Sequence, residues 1–282
     1  MDVEIASLTY PGFSKKFVDS LKNTGFAVVT GHEIDPRQLS DAYKLWGKFF
    51  DQPLKKKMAL LYSKETHGGY FPMKSEKAKD AKVGDLKEFY HWYDHLEHGE
   101  DDLNCSTWSL RYDLLSLATN LLNKIEDELR LRNVKMNSTE DLSNMIYGSR
   151  QTLFRIIHYP PIKDVEVEEG ATRAAAHEDI NLLTLLPAAT NSGLQVKDSM
   201  GVWHDIHANP DMIIVNVGDM LQEVTGGYLK STTHRVVVDV NSTAESRYSM
   251  PLFLHPRPEV RLSDRYTAKE YLAERLKQLG LA

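Results

Sequence analysis

The sequence predicts a mainly β core flanked by helices, and three features of the chain support this class. Seven short β-rich runs follow one another between residues 153 and 254, each bounded by turn formers. Apolar residues recur at helical spacing through most of residues 1–150, and one amphipathic segment closes the chain. We therefore expect a single domain, with a mainly helical N-terminal region at 1–150, a β core at 151–258 and a C-terminal helix at 259–282.

The first half of the N-terminal region is expected to contain two helices, a strand and a loop. Apolar residues at helical spacing predict a first helix over 13–21, and Gly25 follows as a stop. A strand is predicted at 26–30. An apolar stripe with i, i+3, i+4 and i+7 spacing predicts the second helix over 39–50. Residues 54–84 are rich in Lys and Gly and predict a surface loop.

A strand at 88–93 and a long helix from about Ser109 to Arg132 complete this region. Leu, Ile and Ala side chains repeat along one face of the long segment, as a buried helix requires. The helix that closes the chain begins at a capping box, Thr267 to Glu270. Its buried face is supplied by Tyr271, Leu272, Leu276 and Leu279.

The β core is predicted from short runs that are separated by Pro-Pro, Asn-Ser-Gly and Gly-Gly turns. The predicted strands are Leu153–Tyr159, Leu182–Leu186, Leu194–Lys197, Val202–Ile206, Met212–Val217, Thr233–Val240 and Arg247–Leu254. Many short strands with regular turns are typical of an antiparallel sandwich, barrel or jelly roll.

Composition limits the classes of partner. The chain has 282 residues with 34 Lys plus Arg and 40 Asp plus Glu, a formal charge of −6, which argues against nucleic acid. No run approaches the ~18–20 apolar residues that span a bilayer, and no leader is visible at Met1. A single cysteine, Cys105, excludes an intrachain disulfide and a multi-thiolate metal site. We expect a cytoplasmic monomer or dimer without nucleic-acid or membrane partners.

Three side chains with metal-binding chemistry lie on the predicted strands. His177 and Asp179 are two residues apart, so on an extended chain they point the same way. His234 lies on a later strand, and strands this distant in sequence can face each other in a jelly roll. Two imidazoles and one carboxylate on one face of an octahedron leave three positions open. This is the facial triad of non-haem Fe(II) oxygenases.

An anchor for an anion follows the second histidine. Arg247 and Ser249 are also two residues apart and share a face of their strand. Arginine offers a rigid two-pronged donor and serine adds a hydroxyl, which together suit a carboxylate. A keto acid that chelates iron at one end needs such an anchor for its distal carboxylate.

The sequence resembles the isopenicillin N synthase-like branch of the Fe(II)/2-oxoglutarate-dependent dioxygenases over nearly its whole length. The motifs that carry the resemblance lie at 25–32, 154–161, 177–186, 193–196, 215–219, 230–236 and 247–249, with bacterial features at 68–72 and 85–89. The resemblance implies a double-stranded β-helix, or jelly roll, with Fe(II), 2-oxoglutarate as cosubstrate and O2. It further implies oxidation, by default hydroxylation, of a small organic substrate with release of succinate and CO2.

The resemblance also assigns residues to roles. It implies that His177, Asp179 and His234 are the iron ligands and carry catalysis. It implies that Arg247 and Ser249 hold the far carboxylate of 2-oxoglutarate. A family tyrosine that positions the keto acid aligns with Tyr159.

Candidates for substrate contact are inferred from strand parity or from the Gly-rich loop. They are Arg155, Arg173, Phe253, His255, Tyr70 and Phe71. The two arginines suit either an acidic substrate or a structural carboxylate. The two aromatic residues at 70 and 71 are expected to act as a lid, because a loop flanked by glycines moves easily.

Three alternatives stay open on the sequence. An oxidase of the isopenicillin N synthase type keeps the Arg-x-Ser motif but consumes no 2-oxoglutarate. A hydrolase could use zinc in the same triad. A jelly-roll binding protein would do no redox chemistry, although such a protein has no need of three ligands and an open face.

Overall fold

Two sheets stack on each other in the computed structural model, and helices cover the larger one. The structure describes residues 2–76, 84–96, 98, 101–161, 173–237 and 245–278. Residues 238–240 of the predicted strand Thr233–Val240, and Leu279 of the predicted C-terminal helix, lie outside the described residues.

The described helices are α1 (Phe13–Thr24), α2 (Pro36–Phe50), α3 (Leu54–Met58), α4 (Asp101–Leu131), α5 (Leu142–Ile146), α6 (Asp219–Val224) and α7 (Ala268–Gln278). The strands are β1 (Ile5–Ser7), β2 (Phe26–Thr30), β3 (Gly69–Phe71), β4 (Glu88–Trp92), β5 (Leu153–Tyr159), β6 (Ala174–His177), β7 (Leu183–Pro187), β8 (Leu194–Lys197), β9 (Trp203–Asp205), β10 (Ile213–Val217), β11 (His234–Val236), β12 (Arg247–Ser249) and β13 (Leu252–Leu254).

The larger sheet has the order β1-β2-β10-β7-β13-β5-β4-β3, and β12 also pairs with β5. Its strands pair antiparallel except β1 with β2. The smaller sheet has the order β6-β11-β8-β9 and is antiparallel. A mainly β core of two sheets with flanking helices confirms the predicted fold class.

Alternation along β5 divides the larger sheet into two faces. Phe154 and Ile156 pack into the cluster formed with the helices, whereas Ile157 and Tyr159 pack into the cluster between the two sheets. This follows from the two-residue period of a strand. We call these the helix face and the inner face of the larger sheet, and the inner face positions the candidate site.

The N-terminal half differs from the prediction in two respects. Besides the two predicted strands, β2 and β4, it contributes β1 and β3 to the larger sheet. The surface loop predicted over 54–84 instead holds α3 and the buried strand β3, so that prediction was wrong for 54–58 and 69–71. A strand of three residues is too short to show the alternation that identifies a strand from sequence.

Two further elements have boundaries that differ from the predicted ones. The long helix begins at Asp101 rather than near Ser109. The predicted strand Arg247–Leu254 is divided into β12 and β13, because Pro251 has no N–H to donate to a sheet ladder. Among the described helices, none combines the length and the apolar content that crossing a membrane needs.

Candidate metal centre

The first and last members of the predicted triad are neighbours across two strands. His177 ends β6 and lies opposite His234, which begins β11. Their ring centroids are 4.4 Å apart. Asp179 follows β6, with its Oδ1 3.8 Å from Nε2 of His177 and 3.7 Å from Nε2 of His234. One ligand atom from each residue lies within 4.8 Å of the others, so the three converge on one point.

Backbone carbonyls fix the orientation of both imidazoles. Nδ1 of His177 lies 2.8 Å from the carbonyl of Ala175, and Nδ1 of His234 lies 3.1 Å from that of Thr232. A carbonyl oxygen only accepts, so each Nδ1 donates its hydrogen and each Nε2 is directed toward the common point. Desolvation by the surrounding protein, reinforced by His234, lowers the pKa of His177 to about 4 although 44% of the side chain is exposed, so this ring is neutral at pH 7.

Two residues that sequence reasoning missed hold the carboxylate. Oδ2 of Asp179 accepts from Oγ1 of Thr184 at 2.6 Å and from Nδ2 of Asn216 at 2.9 Å. These bonds leave Oδ1 facing the imidazoles. Burial raises the pKa of Asp179, but His234, His177 and the two hydrogen bonds bring it below its ordinary value. Each missed residue is a polar residue inside a buried apolar strand, and this is the signal that could have found it.

The loop that carries Asp179 is fixed by the start of α6. The backbone N–H of Asp219 donates to the carbonyl of Asp179 at 2.7 Å. A Cβ on Gly218 would lie 2.0 Å from the carbonyl oxygen of Asn181, so this close approach requires glycine. Arg275 of α7 binds Asp219 at 2.9 Å and holds the same loop from outside.

The donor set fits a divalent iron. It has two imidazoles and one ionised carboxylate, and no fourth described His, Cys, Asp or Glu joins the cluster. Three protein ligands on one side leave positions for small molecules, as in the 2-His-1-carboxylate sites of non-haem oxygenases.

The predicted anion anchor lies on the inner face. Arg247 is opposite Tyr159 in the ladder between β12 and β5, and its guanidinium lies 5.0 Å from the tyrosine ring centroid. Nε donates to the carbonyls of Asn191 and Ser192, both at 3.0 Å. Nη1 is buried and has no hydrogen-bond partner within the described part of the chain. A buried N–H of a charged group is expensive to leave unsatisfied, so the geometry suits an anion.

Ser249 is buried two residues further along the same face of β12. It therefore lies beside the guanidinium, as its sequence spacing predicts. Arg173 is fully buried, with its guanidinium 6.0 Å from the centroid of the Tyr159 ring. The three residues predicted around the keto acid thus gather at one end of the inner face, and Arg173, a candidate for substrate contact, lies beside them.

Other candidates for substrate contact occupy the inner face further from Arg247. Arg155 lies on the same face of β5 as Tyr159, with its guanidinium 5.6 Å from the Phe253 ring. Phe71 of β3 stacks on Phe89 with ring centroids 4.4 Å apart. His255 is within electrostatic range of both the carboxylate of Asp179 and Arg155, and burial lowers the pKa of His255 to about 4.

Tyr70 is placed differently from the prediction. It is 1% exposed and packs into the cluster on the helix face, and its hydroxyl donates to Glu88. The prediction that Tyr70 belongs to a mobile lid was therefore wrong. Neighbouring residues of a strand point to opposite faces, so Phe71 lies on the inner face while Tyr70 does not.

Comparison with known proteins adds two family matches. Residues 150–256 match the model of the 2OG-Fe(II) oxygenase superfamily. Residues 3–111 match the model described as the N-terminal part of non-haem dioxygenases in morphine synthesis.

Relatives and solved structures agree with these matches. A crystal structure from Shewanella oneidensis, assigned as an oxygenase, is 42% identical, with a TM-score of 0.86 and full coverage of both chains. A 2-oxoglutarate-Fe(II) type oxidoreductase from Aspergillus fumigatus is 29% identical over 254 residues, which are 84% of this chain and 74% of that protein. A Neurospora crassa protein, solved at full length in complex with alpha-KG, is 22% identical with a TM-score of 0.79, covers 97% of this chain and 95% of its own, and supports the fold.

Proposed function

The chain belongs to the 2OG-Fe(II) oxygenase superfamily, and from this premise we propose which of its residues carry the chemistry. It is a non-haem Fe(II)- and 2-oxoglutarate-dependent dioxygenase that oxidises, by default hydroxylates, a small organic substrate. We propose that His177, Asp179 and His234 are its iron ligands. The convergence of their three ligand atoms within 4.8 Å is the observation that carries this assignment.

We propose that Arg247 and Ser249 bind the far carboxylate of 2-oxoglutarate and that Tyr159 borders it. The unfilled Nη1 of the buried guanidinium supports this role. The guanidinium lies 5.0 Å from the centroid of the Tyr159 ring, and its planar fork suits a carboxylate.

When bound, Fe(II) and 2-oxoglutarate supply the oxidising chemistry, in which O2 is consumed, the keto acid yields succinate and CO2, and a substrate C–H bond is oxidised. Our proposal for the chain's own residues is that Ala175 and Thr232 hold the imidazole tautomers. Thr184 and Asn216 keep Oδ2 of the carboxylate occupied, so that Oδ1 alone faces the metal. The apolar cluster between the sheets excludes water behind the site.

We infer that the chain belongs to the isopenicillin N synthase-like branch and forms one oxygenase domain over 1–282. The motifs at both ends of the chain support this inference. Cytoplasmic location, the absence of nucleic-acid and membrane partners, and a monomeric or dimeric state stay predictions from the sequence. Arg155, Arg173, Phe71, Phe253 and His255 are proposed to border the substrate.

The proposal is tested by an anaerobic titration with Fe(II) and then 2-oxoglutarate, followed by a substrate screen in air. We expect a visible metal-to-keto-acid charge-transfer band and succinate in proportion to oxidised substrate. Iron binding without that band would overturn the cosubstrate assignment and favour the oxidase alternative. Failure to bind iron in a folded protein would overturn the triad.

A further inference from the structure

Arg155 is held between aromatic rings on the inner face. Its guanidinium carbon lies 4.7 Å from the centroid of the Phe89 ring and 5.6 Å from that of the Phe253 ring. Phe71 stacks on Phe89 and continues the apolar wall. We call Phe89 and Phe253 the aromatic clamp. Rings on the planar faces of a guanidinium leave its edge as the direction in which it can bind a ligand.

Part of that edge is already occupied. Nε of Arg155 donates to Nε2 of His91 at 3.0 Å, and Nη1 donates to both carboxylate oxygens of Glu76 at 3.3 Å. His91 has a pKa well below its ordinary value because of burial and the arginine charge, so its ring is a neutral acceptor. No described residue accepts from Nη2, and the side chain is 19% exposed. The guanidinium is thus fixed in place with one nitrogen available.

Arg155 belongs to a cluster of two cations and two carboxylates, in which its ion pair with Glu76 is the longest. Glu76 lies closer to Lys87, at 2.6 Å from its Nζ, than to Arg155, at 3.3 Å. Lys87 also pairs with Asp85 at 2.8 Å. The two carboxylates together balance the two cations, and the contact of Glu76 with Arg155 is longer than its contact with Lys87. Since a charge-assisted contact is strongest at ~2.7–2.9 Å, the guanidinium retains affinity for a second anion.

Strand pairing places Arg155 near the metal centre. Phe253 of the clamp lies opposite Thr184, and Thr184 holds the metal carboxylate. From β5 across β13 to β7 is two strand spacings, or roughly 10 Å. A ligand bound to Nη2 would thus extend along the inner face toward Thr184 and the proposed metal centre.

We propose that Arg155 anchors the substrate through a carboxylate, and that the substrate is a small carboxylic acid whose apolar ring packs on Phe71 and the aromatic clamp. This inference rests on the proposed function, because it places the oxidation of the substrate at the proposed metal centre. It deepens that function by naming the class of substrate.

The test compares matched acids and primary amides by calorimetry with the anaerobic Fe(II)- and 2-oxoglutarate-loaded protein. The probes are 3-phenylpropanoate, indole-3-acetate, cyclohexylacetate and 2-naphthylacetate, each with its amide. We expect the wild type to bind at least one acid about ten- to a hundred-fold more tightly than its amide, which is the range for one hydrogen bond to a charged group. Arg155→Gln should abolish that preference, and Arg155→Lys should retain part of it.

Two further variants sharpen the result. Glu76→Gln removes the competing carboxylate and should increase the preference for the acid. Arg37→Gln removes an exposed cation of α2 and should change nothing, which controls for net charge.

The charge-transfer band of each variant separates the two proposals. A normal band with equal binding of acids and amides across the panel would overturn the substrate class alone. The substrate class is equally overturned if Arg155→Gln keeps the preference for an acid. A wild type without the band, but with an acid preference that depends on Arg155, would overturn the cosubstrate assignment and leave the carboxylate anchor supported.

Discussion

Buried charges lie on both faces of the larger sheet, and their surroundings differ. On the helix face, Glu88 accepts from His158 at 2.8 Å, from Lys57 at 2.7 Å and from the hydroxyl of Tyr70. On the inner face, Arg247 keeps Nη1 unsatisfied within the described chain, and His177, Asp179 and His234 of the facing sheet and its adjoining loop converge on one another. The first group is closed on itself, whereas the second is open toward the space between the sheets.

This contrast distinguishes buried charges that contribute to folding from buried charges that can bind a ligand. A buried charge whose partners all come from the chain stabilises the fold only, and breaking the pair is costly. A buried charge with an open position has already lost part of its hydration when the chain folds. The free energy of that loss is offset when an external ligand binds to the charge. Adjacent residues of one strand, His158 and Tyr159, therefore serve different purposes because they point to opposite faces.

The largest expected effect is on metal binding. His234→Ala should abolish Fe(II) binding at micromolar metal, because two ligands without the second imidazole no longer enclose the common point. The thermal unfolding temperature of the metal-free protein should change little. Equilibrium dialysis of Fe(II) under anaerobic conditions measures the first quantity. Unchanged iron affinity in the folded variant would contradict the assignment of the ligand.

Glu88→Gln tests the closed group. We expect a loss of about 3–5 kcal/mol in the free energy of unfolding, because the charge of buried Lys57 is left uncompensated. Iron and 2-oxoglutarate affinities should stay as in the wild type. Chemical denaturation at pH 7 measures the stability, and a change in cofactor affinity instead would show that the two faces are not independent.

The stabilising effect of Glu88 is also expected to depend on pH. Burial raises the pKa of Glu88, but hydrogen bonds from His158, Lys57 and Tyr70 bring it below the ordinary value of 4.5. A carboxyl with a lowered pKa contributes stability above its unfolded pKa and loses it as the pH falls through the folded value. The stability difference between wild type and variant should therefore be constant above pH 4.5 and shrink below it. Denaturation at several pH values measures this difference.

Arg247→Leu tests the open group. It should weaken 2-oxoglutarate binding by about 2–5 kcal/mol, since one partner of a buried charge pair is removed. Iron affinity should not change. The charge-transfer band gives the affinity for the keto acid by titration. Arg37→Leu on the surface of α2 is the matched control, and equal losses in both variants would contradict a specific anchor.

The smallest effect is expected from the residues that hold the carboxylate. Thr184→Val removes one of the two donors to Oδ2 of Asp179 and should weaken iron binding by about 10–100-fold. Thr119→Val removes a similar bond to a carbonyl in α4 and should leave iron affinity unchanged. Competition with a coloured chelator measures both variants. Identical affinities would show that Thr184 does not position the ligand.

Much of the site was predictable because strand parity is a local property. Arg247 and Ser249 share a face of β12, and His177 and Asp179 converge as their spacing predicts although Asp179 lies just beyond the end of β6. The prediction that Tyr70 belongs to a lid failed because strand parity could not be recognised there. Its strand β3 has only three residues, which is too short a run to show by alternation whether this side chain belongs to a lid or to the core.

By itself the sequence determined the class of fold, and it predicted that His177, Asp179 and His234 converge and that Arg247 and Ser249 share a face, because residue chemistry and two-residue alternation need no partner strand. Only the tertiary structure decided that Thr184 and Asn216 hold the metal carboxylate, and that Arg155 meets Glu76 across 79 residues of chain. Such contacts depend on which strands pair and in which register. That choice is made by the packing of the whole sheet, and no local pattern records it.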